Sequence, residues 1–168
     1  MLTRSSAENE YVLQAAQDAD VKFVRLWFPD ILGHLKGFAI NVDDLNDAIL
    51  KGVGFDGSAI EGFARIEESD MRAFPDPDTF SLLPWRPQRN AVARMFCDIR
   101  RPNADIFTGD PRAALKRNLE RVARLGYTYY VGTELEFFYL KDAEVPEPLD
   151  RVGYFDQLSG QPAIATAQ

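Results

Sequence analysis

Val21-Lys22-Phe23-Val24-Arg25-Leu26-Trp27-Phe28, a turn through Pro29, Asp30 and Gly33, then His34-Leu35-Lys36-Gly37-Phe38-Ala39-Ile40 decide the fold. The first run is rich in aromatic and β-branched residues, which suit a pleated, half-buried surface and predict a strand. Proline, aspartate and glycine punctuate the turn, and the second run returns as a strand. Asn41 or Asp43 then caps a short helix carrying Leu45, Ala48 and Ile49, and Gly52 ends it. Upstream, Ser5 or Ser6 caps a helix through about Ala19, with an apolar stripe at Val12, Ala15, Ala16 and Ala19. Strand, turn, strand, helix and then further strands predict a compact α+β sheet with one helix laid across it.

Beyond Gly52 the periodicity fails. Residues 52–78 hold four glycines, two prolines and many charges, and they read as one long functional loop. Thr79–Trp85 and Ala91–Ile99 read as two more strands. In the second, Ala93, Met95, Cys97 and Ile99 share a face, which makes Cys97 a buried small hydrophobe. Arg101-Pro102-Asn103 reads as a boundary, dividing the chain into domains 1–103 and 104–168. Asp110 and Pro111 open a helix as capping carboxylate and first-turn proline. Leu115, Leu119 and Val122 form its expected buried stripe, and Gly126 stops it. Tyr127–Leu140 reads as a long strand, and charges and prolines predict a poorly ordered tail from about residue 142. No internal repeat is present.

The 168 residues are 46% hydrophobic and 27% charged, with net charge −7, the make-up of a soluble globular protein. That charge argues against nucleic acid or an anionic membrane as partner, because phosphate binding needs clustered lysine and arginine. No apolar run approaches the roughly 20 residues that span a bilayer, and the start lacks the apolar stretch of a signal peptide. The single cysteine, Cys97, excludes an internal disulfide and points to the cytoplasm. The single histidine, His34, leaves no multi-histidine zinc site within one chain. If a metal is involved here, carboxylates must hold it, which favours magnesium or manganese.

Glu134 and Glu136 are the most informative pair. At alternate strand positions their Cβ atoms share a face, about 7 Å apart. Two neighbouring carboxylates on an aromatic strand repel one another and resist burial, and a divalent cation relieves both costs. The competing reading is a solvent-facing sheet edge. Asp56, between Phe55 and Gly57-Ser58, either presents its carboxylate at a cleft or closes a turn on its own backbone. Gly52, Gly54 and Gly57 fit G-x-G-x-x-G, but they follow a helix rather than a strand and open no amphipathic helix, so a dinucleotide site is rejected. No phosphate-binding P-loop occurs. His34 reads as a surface or half-buried residue beside a turn, and Trp27 and Trp85 as packing residues.

Six segments in order resemble the glutamine synthetase family in its bacterial type I form. They are Phe55-Asp56-Gly57-Ser58 with Ile60-Glu61-Gly62-Phe63, Glu67-Glu68-Ser69-Asp70-Met71, Phe74–Phe80 with Leu83-Pro84-Trp85, Arg94–Asp98, Gly132–Phe138 and Gly153-Tyr154-Phe155-Asp156. The resemblance runs from about residue 10 to 157. It implies a β-grasp-like amino-terminal domain followed by an incomplete α/β catalytic-domain segment. The implied reaction is ligation of ammonia to the glutamate γ-carboxylate through a γ-glutamyl phosphate, with ATP as substrate. Glu134 and Glu136 become ligands of two divalent ions, Mg2+ or Mn2+, which neutralise charge on the transferring phosphoryl group. Asp56 becomes the catalytic residue that binds ammonium and helps to deprotonate it, with Ser58 in the same loop. That loop is implied to serve a neighbouring subunit, hence a ring-shaped homo-oligomer.

Two departures from the pattern stand out: Ala59 replaces a serine, and Thr133 replaces a proline. The family's remaining metal ligands, and the arginines that hold glutamate and nucleotide, find no counterpart, so no cofactor-binding residues beyond the two glutamates are identified. The chain alone is therefore expected to be inactive. Two other readings remain: a truncated subunit that joins and regulates complete rings, and a ligase that adds glutamate to another amine.

Overall fold

The computed structural model of the chain describes residues 6–59 and 70–149. Helix α1 (Ser6–Asp18) leads into β1 (Val21–Pro29) and β2 (Leu35–Asn41), which pair antiparallel from Phe23 opposite Asn41 to Pro29 opposite Leu35. Asp30 organises the hairpin turn. Its buried carboxylate accepts the backbone N–H of Leu32 at 2.9 Å and of His34 at 2.8 Å. Asn41 rather than Asp43 is the cap, and its side chain accepts the Asp43 N–H to start a single 3-10 turn that runs into α2 (Leu45–Lys51). Gly52 ends that helix at φ 68° and ψ 164°, a conformation open essentially to glycine alone. A Cβ there would also meet the Phe74 ring at 2.8 Å.

Residues 52–78 are not one loop. They contain β3 (Val53–Asp56) and β4 (Asp70–Pro75), which pair antiparallel with Asp56 opposite Asp70. The sequence hid them because these short strands are held by ladders to distant residues rather than by a strong local period. The expected strand Thr79–Trp85 shrinks to β5 (Ser81–Leu82). Pro84, which has no N–H, follows closely, and Leu83 makes the last bond, to the Val92 carbonyl at 2.9 Å. The segment 60–69 and the block 153–156 lie outside the described residues.

β6 (Ala91–Arg100) is the centre of the sheet, parallel to β1 and antiparallel to β4. Among the described residues the order is β2-β1-β6-β4-β3, with β5 on β6. A hairpin, a crossing helix and a last long strand inserted parallel to the first make the β-grasp arrangement that the α+β reading led to. Ala93, Met95, Cys97 and Ile99 are all buried on one face, as their alternation requires. Val24, Leu26 and Phe28 of β1, Met71 and Ala73 of β4, Leu45 of α2, and Val12 and Ala16 of α1 complete the core. Both helices therefore feed it. Each fully buried side chain such as Leu26 contributes about 1.5–3 kcal/mol.

Helix α3 (Pro111–Arg124) begins as its sequence dictates, with the Asp110 side chain accepting the Arg112 N–H. Its leucine stripe is a correction: Leu115 is 57% exposed and Leu119 39%, and Ala113 is the buried residue. The helical period is present, but no described element covers that face. The expected strand over 127–140 is a second correction. Residues 127–139 form no ladder, and only Leu140 makes an isolated bridge, to Pro148. A segment becomes a strand only when a partner satisfies its N–H and C=O groups along its length, and here the Leu149 N–H reaches only its last residue, at the Tyr139 carbonyl, 2.7 Å away. The chain divides into two compact units, the first ending at Tyr129 and the second beginning at Tyr130.

Candidate functional site

Asp56 ends β3, the edge strand of the sheet. Two features fix that strand. The Phe55 ring lies 5.2 Å from Phe28 and 5.8 Å from Phe38 by centroids. Arg72, on the neighbouring strand, donates from Nε to the Lys51 carbonyl at 3.0 Å and from Nη2 to the Gly52 carbonyl at 3.1 Å, tying down the corner before β3. At its far end Asp56 Oδ1 accepts both the backbone N–H of Ser58 at 2.9 Å and its hydroxyl at 2.6 Å.

The structure thus brings Asp56 and Ser58 together in an aspartate turn with an exposed carboxylate. The Ser58 hydroxyl, then its amide, hold the Asp56 pKa below the ordinary aspartate value, because both bonds favour the charged form. An exposed carboxylate whose charged form is favoured suits attraction of a small cation. It is a weak base, so any proton it removes must come from an acid made stronger by the reaction itself.

Glu134 and Glu136 are both exposed, in the part of the second unit that forms no ladder. Nearby, Phe137 and Tyr139 meet edge to face at 5.3 Å. Among the described residues no group of three or more His, Cys, Asp or Glu stands close enough to hold a metal ion. His34 is exposed, with Nδ1 3.3 Å from the Asp30 carboxylate, and belongs to the hairpin turn. Trp27 packs edge-on against Phe96 at 6.0 Å, whereas Trp85 is 69% exposed and does not pack as expected. Burial, reinforced by the Asp98 charge, pushes the Cys97 thiol pKa well up, so it is no nucleophile.

Sequence reading missed one charged cluster. Asp76 follows β4 and Asp98 lies on β6; Arg112 and Lys116 stand one turn apart on α3. Arg112 Nε donates to Asp98 at 2.9 Å while its Nη2 donates to Asp76, and Lys116 Nζ is 2.7 Å from Asp98 and 3.5 Å from Asp76. Two cations at i, i+4 immediately after a helix cap were the available signal.

A parallel first-and-last strand pair, crossed by a helix and carrying an exposed acidic turn on one edge, places the first unit among β-grasp domains. Residues 20–102 match the family model described as glutamine synthetase, beta-Grasp domain, and residues 108–163 match glutamine synthetase, catalytic domain. The chain belongs to the glutamine synthetase family. It is 49% identical over 156 residues to the glutamine synthetase of Mycobacterium tuberculosis strain H37Rv, covering 89% of this chain and 35% of that protein. With the Thermotoga maritima enzyme it shares 46% over 153 residues, again 89% of this chain and 35% of the relative. Among solved structures, a cryo-EM Plasmodium falciparum glutamine synthetase superposes with TM-score 0.64 at 25% identity, over 75% of this chain and 24% of that one. A GmaS/ADP complex gives 0.62 at 27% identity, over 68% and 26%. The chain thus spans about a third of the length of the curated relatives it matches.

Proposed function

We propose that this chain supplies the β-grasp part and the opening of the catalytic part of an enzyme that ligates ammonia to the glutamate γ-carboxylate at the expense of ATP. The carrying observation is the Asp56–Ser58 turn: an exposed carboxylate, held ionised by two local hydrogen bonds, within a segment matching the family's β-grasp model. Asp56 attracts ammonium by charge, and Ser58 aims its carboxylate. Glu134 and Glu136 offer hard oxygen donors of the kind magnesium and manganese prefer, so these residues suit one or two such ions in the assembled site. A bound ion supplies charge neutralisation on the transferring phosphoryl group. The similar fold of the GmaS/ADP complex supports an adenine nucleotide as the phosphoryl source.

The domain boundary near 103/104, a ring of identical subunits and a cytoplasmic location belong to the same reading. The chain by itself is expected to be inactive, because positioning and electrostatic clamping provide most of the rate in phosphoryl transfer. Two glutamates on a segment without a ladder provide neither. A coupled assay for phosphate and glutamine on the purified chain tests this, with saturating ATP, ammonium, glutamate and magnesium. No turnover is expected. Mixed with a full-length relative, the chain should alter turnover per ring, and Asp56→Ala should lower it. Turnover by the chain alone that disappears in Glu134→Ala would overturn the expectation of inactivity.

A further inference from the structure

The sequence places a boundary at Arg101-Pro102-Asn103, yet the residues that follow turn back onto the sheet. Arg101 N–H donates to the Asp105 carbonyl at 2.9 Å, and the Asn103 side chain donates to the Asp105 carboxylate at 2.8 Å and accepts the Asp105 backbone N–H at 3.1 Å. Arg100 bridges Ile106, and the Phe107 N–H reaches the Ile99 carbonyl at 3.3 Å, with the Phe107 ring buried in the core. β1 has ended its pairing with β6 by Phe96, so beyond that point the exposed ladder edge of β6 is continued by residues 105–110. The fully buried Asp110 carboxylate completes the splice. One oxygen accepts the Ile99 N–H of β6 at 3.1 Å, and the other accepts the Arg112 N–H at 3.0 Å and caps α3. One turn further on, Arg112 and Lys116 each reach both Asp76 and Asp98.

We propose that Asp110, Arg112 and Lys116 form a clamp with Asp76 and Asp98 that makes helix α3 and the β-grasp sheet one cooperative folding unit. The connector 101–110 is then a rigid splice and not a hinge. The leucine face of α3 supplies little of its docking, since Leu115 and Leu119 stay exposed. The clamp does so instead, with two carboxylates shared between two cations in a partly buried cluster. Removing one member of such a cluster strands its partners without compensation.

Native-state hydrogen exchange on the full chain tests the clamp. In the unmodified chain the amides of α3 and of β6 are expected to show protection within about tenfold of one another, because both open through the same event. Arg112→Met should lower α3 protection by at least about tenfold and leave the β1 and β6 amides protected. If α3 in the unmodified chain exchanges a hundredfold or more faster than β6, or if Arg112→Met leaves α3 protection unchanged, the proposal falls. Should Arg112→Met fail to fold, Lys116→Met removes the more exposed arm and is measured in the same way. A selective loss of α3 protection supports the clamp, and unchanged protection overturns it.

Discussion

Asp56 and Glu134 are both carboxylates that the sequence marks for chemistry, but their surroundings differ in kind. Asp56 stands on a strand with a ladder, behind a phenylalanine packed into the core, and its oxygen is aimed by a neighbour two residues away. Glu134 stands on a segment without regular structure, with no strand beside it among the described residues. A residue whose position depends on local bonds is already placed in this chain. One whose position depends on a ladder is placed only when the partner strand is there. The Asp56 turn is prebuilt, and the setting of Glu134 is conditional.

Substitutions can break that contrast. Leu26→Ala removes a fully buried side chain and should cost about 2–5 kcal/mol by urea denaturation, whereas Leu135→Ala, at a residue 86% exposed, should stay within about 0.5 kcal/mol. Equal costs would mean that the second segment is packed as well as the first. A smaller loss is expected of Gly52→Ala, about 1–3 kcal/mol, because alanine resists the φ of 68° that turns the chain into β3. A melt unchanged by it would show that the corner before Asp56 is not fixed.

The next effect is read as a titration. Carboxyl NMR should find Asp56 titrating below 3.8, and Ser58→Ala should return it toward that value. The sign follows from linkage. With its folded pKa lowered, Asp56 binds fewer protons in the folded chain, so its support for the fold is complete above the unfolded pKa. That support is lost as pH falls through the folded one. An unchanged midpoint in Ser58→Ala would remove the hydroxyl as the cause. The smallest effect is a null: magnesium titrated into the chain should give no micromolar binding isotherm, and Glu134→Ala should change nothing. Micromolar affinity abolished by Glu134→Ala would show the second region to be prebuilt after all.

The same division explains what the sequence disclosed. The hairpin, both early helices, β6 with its buried alternate face and the α3 cap were legible, because composition, period and capping residues act within a few positions of one another. β3 and β4 were not, although Met71, Ala73 and Pro75 alternate as buried residues. Alanine and proline carry little strand preference, and only the ladders to β6 and β3 decide their state. The exposed leucines of α3 show the opposite failure: the period was correct, but a period names a face without naming what covers it. Asp56 and Ser58 were legible as a turn by the aspartate's own chemistry. Glu134 and Glu136 were legible as a pair, but their strand was a statement about residues that must lie beside them.

Cys97 lends the molecule a clock. It is the single thiol in the chain, it lies in the central strand with no exposed surface, and its raised pKa keeps it in the unreactive protonated form. A maleimide or aromatic disulfide reagent can reach it only during the moments when β6 parts from its neighbours. The rate of alkylation therefore counts spontaneous openings of the sheet, under native conditions and without an introduced probe. The same count taken in the presence of a full-length relative would time how long the sheet stays shut once it has company.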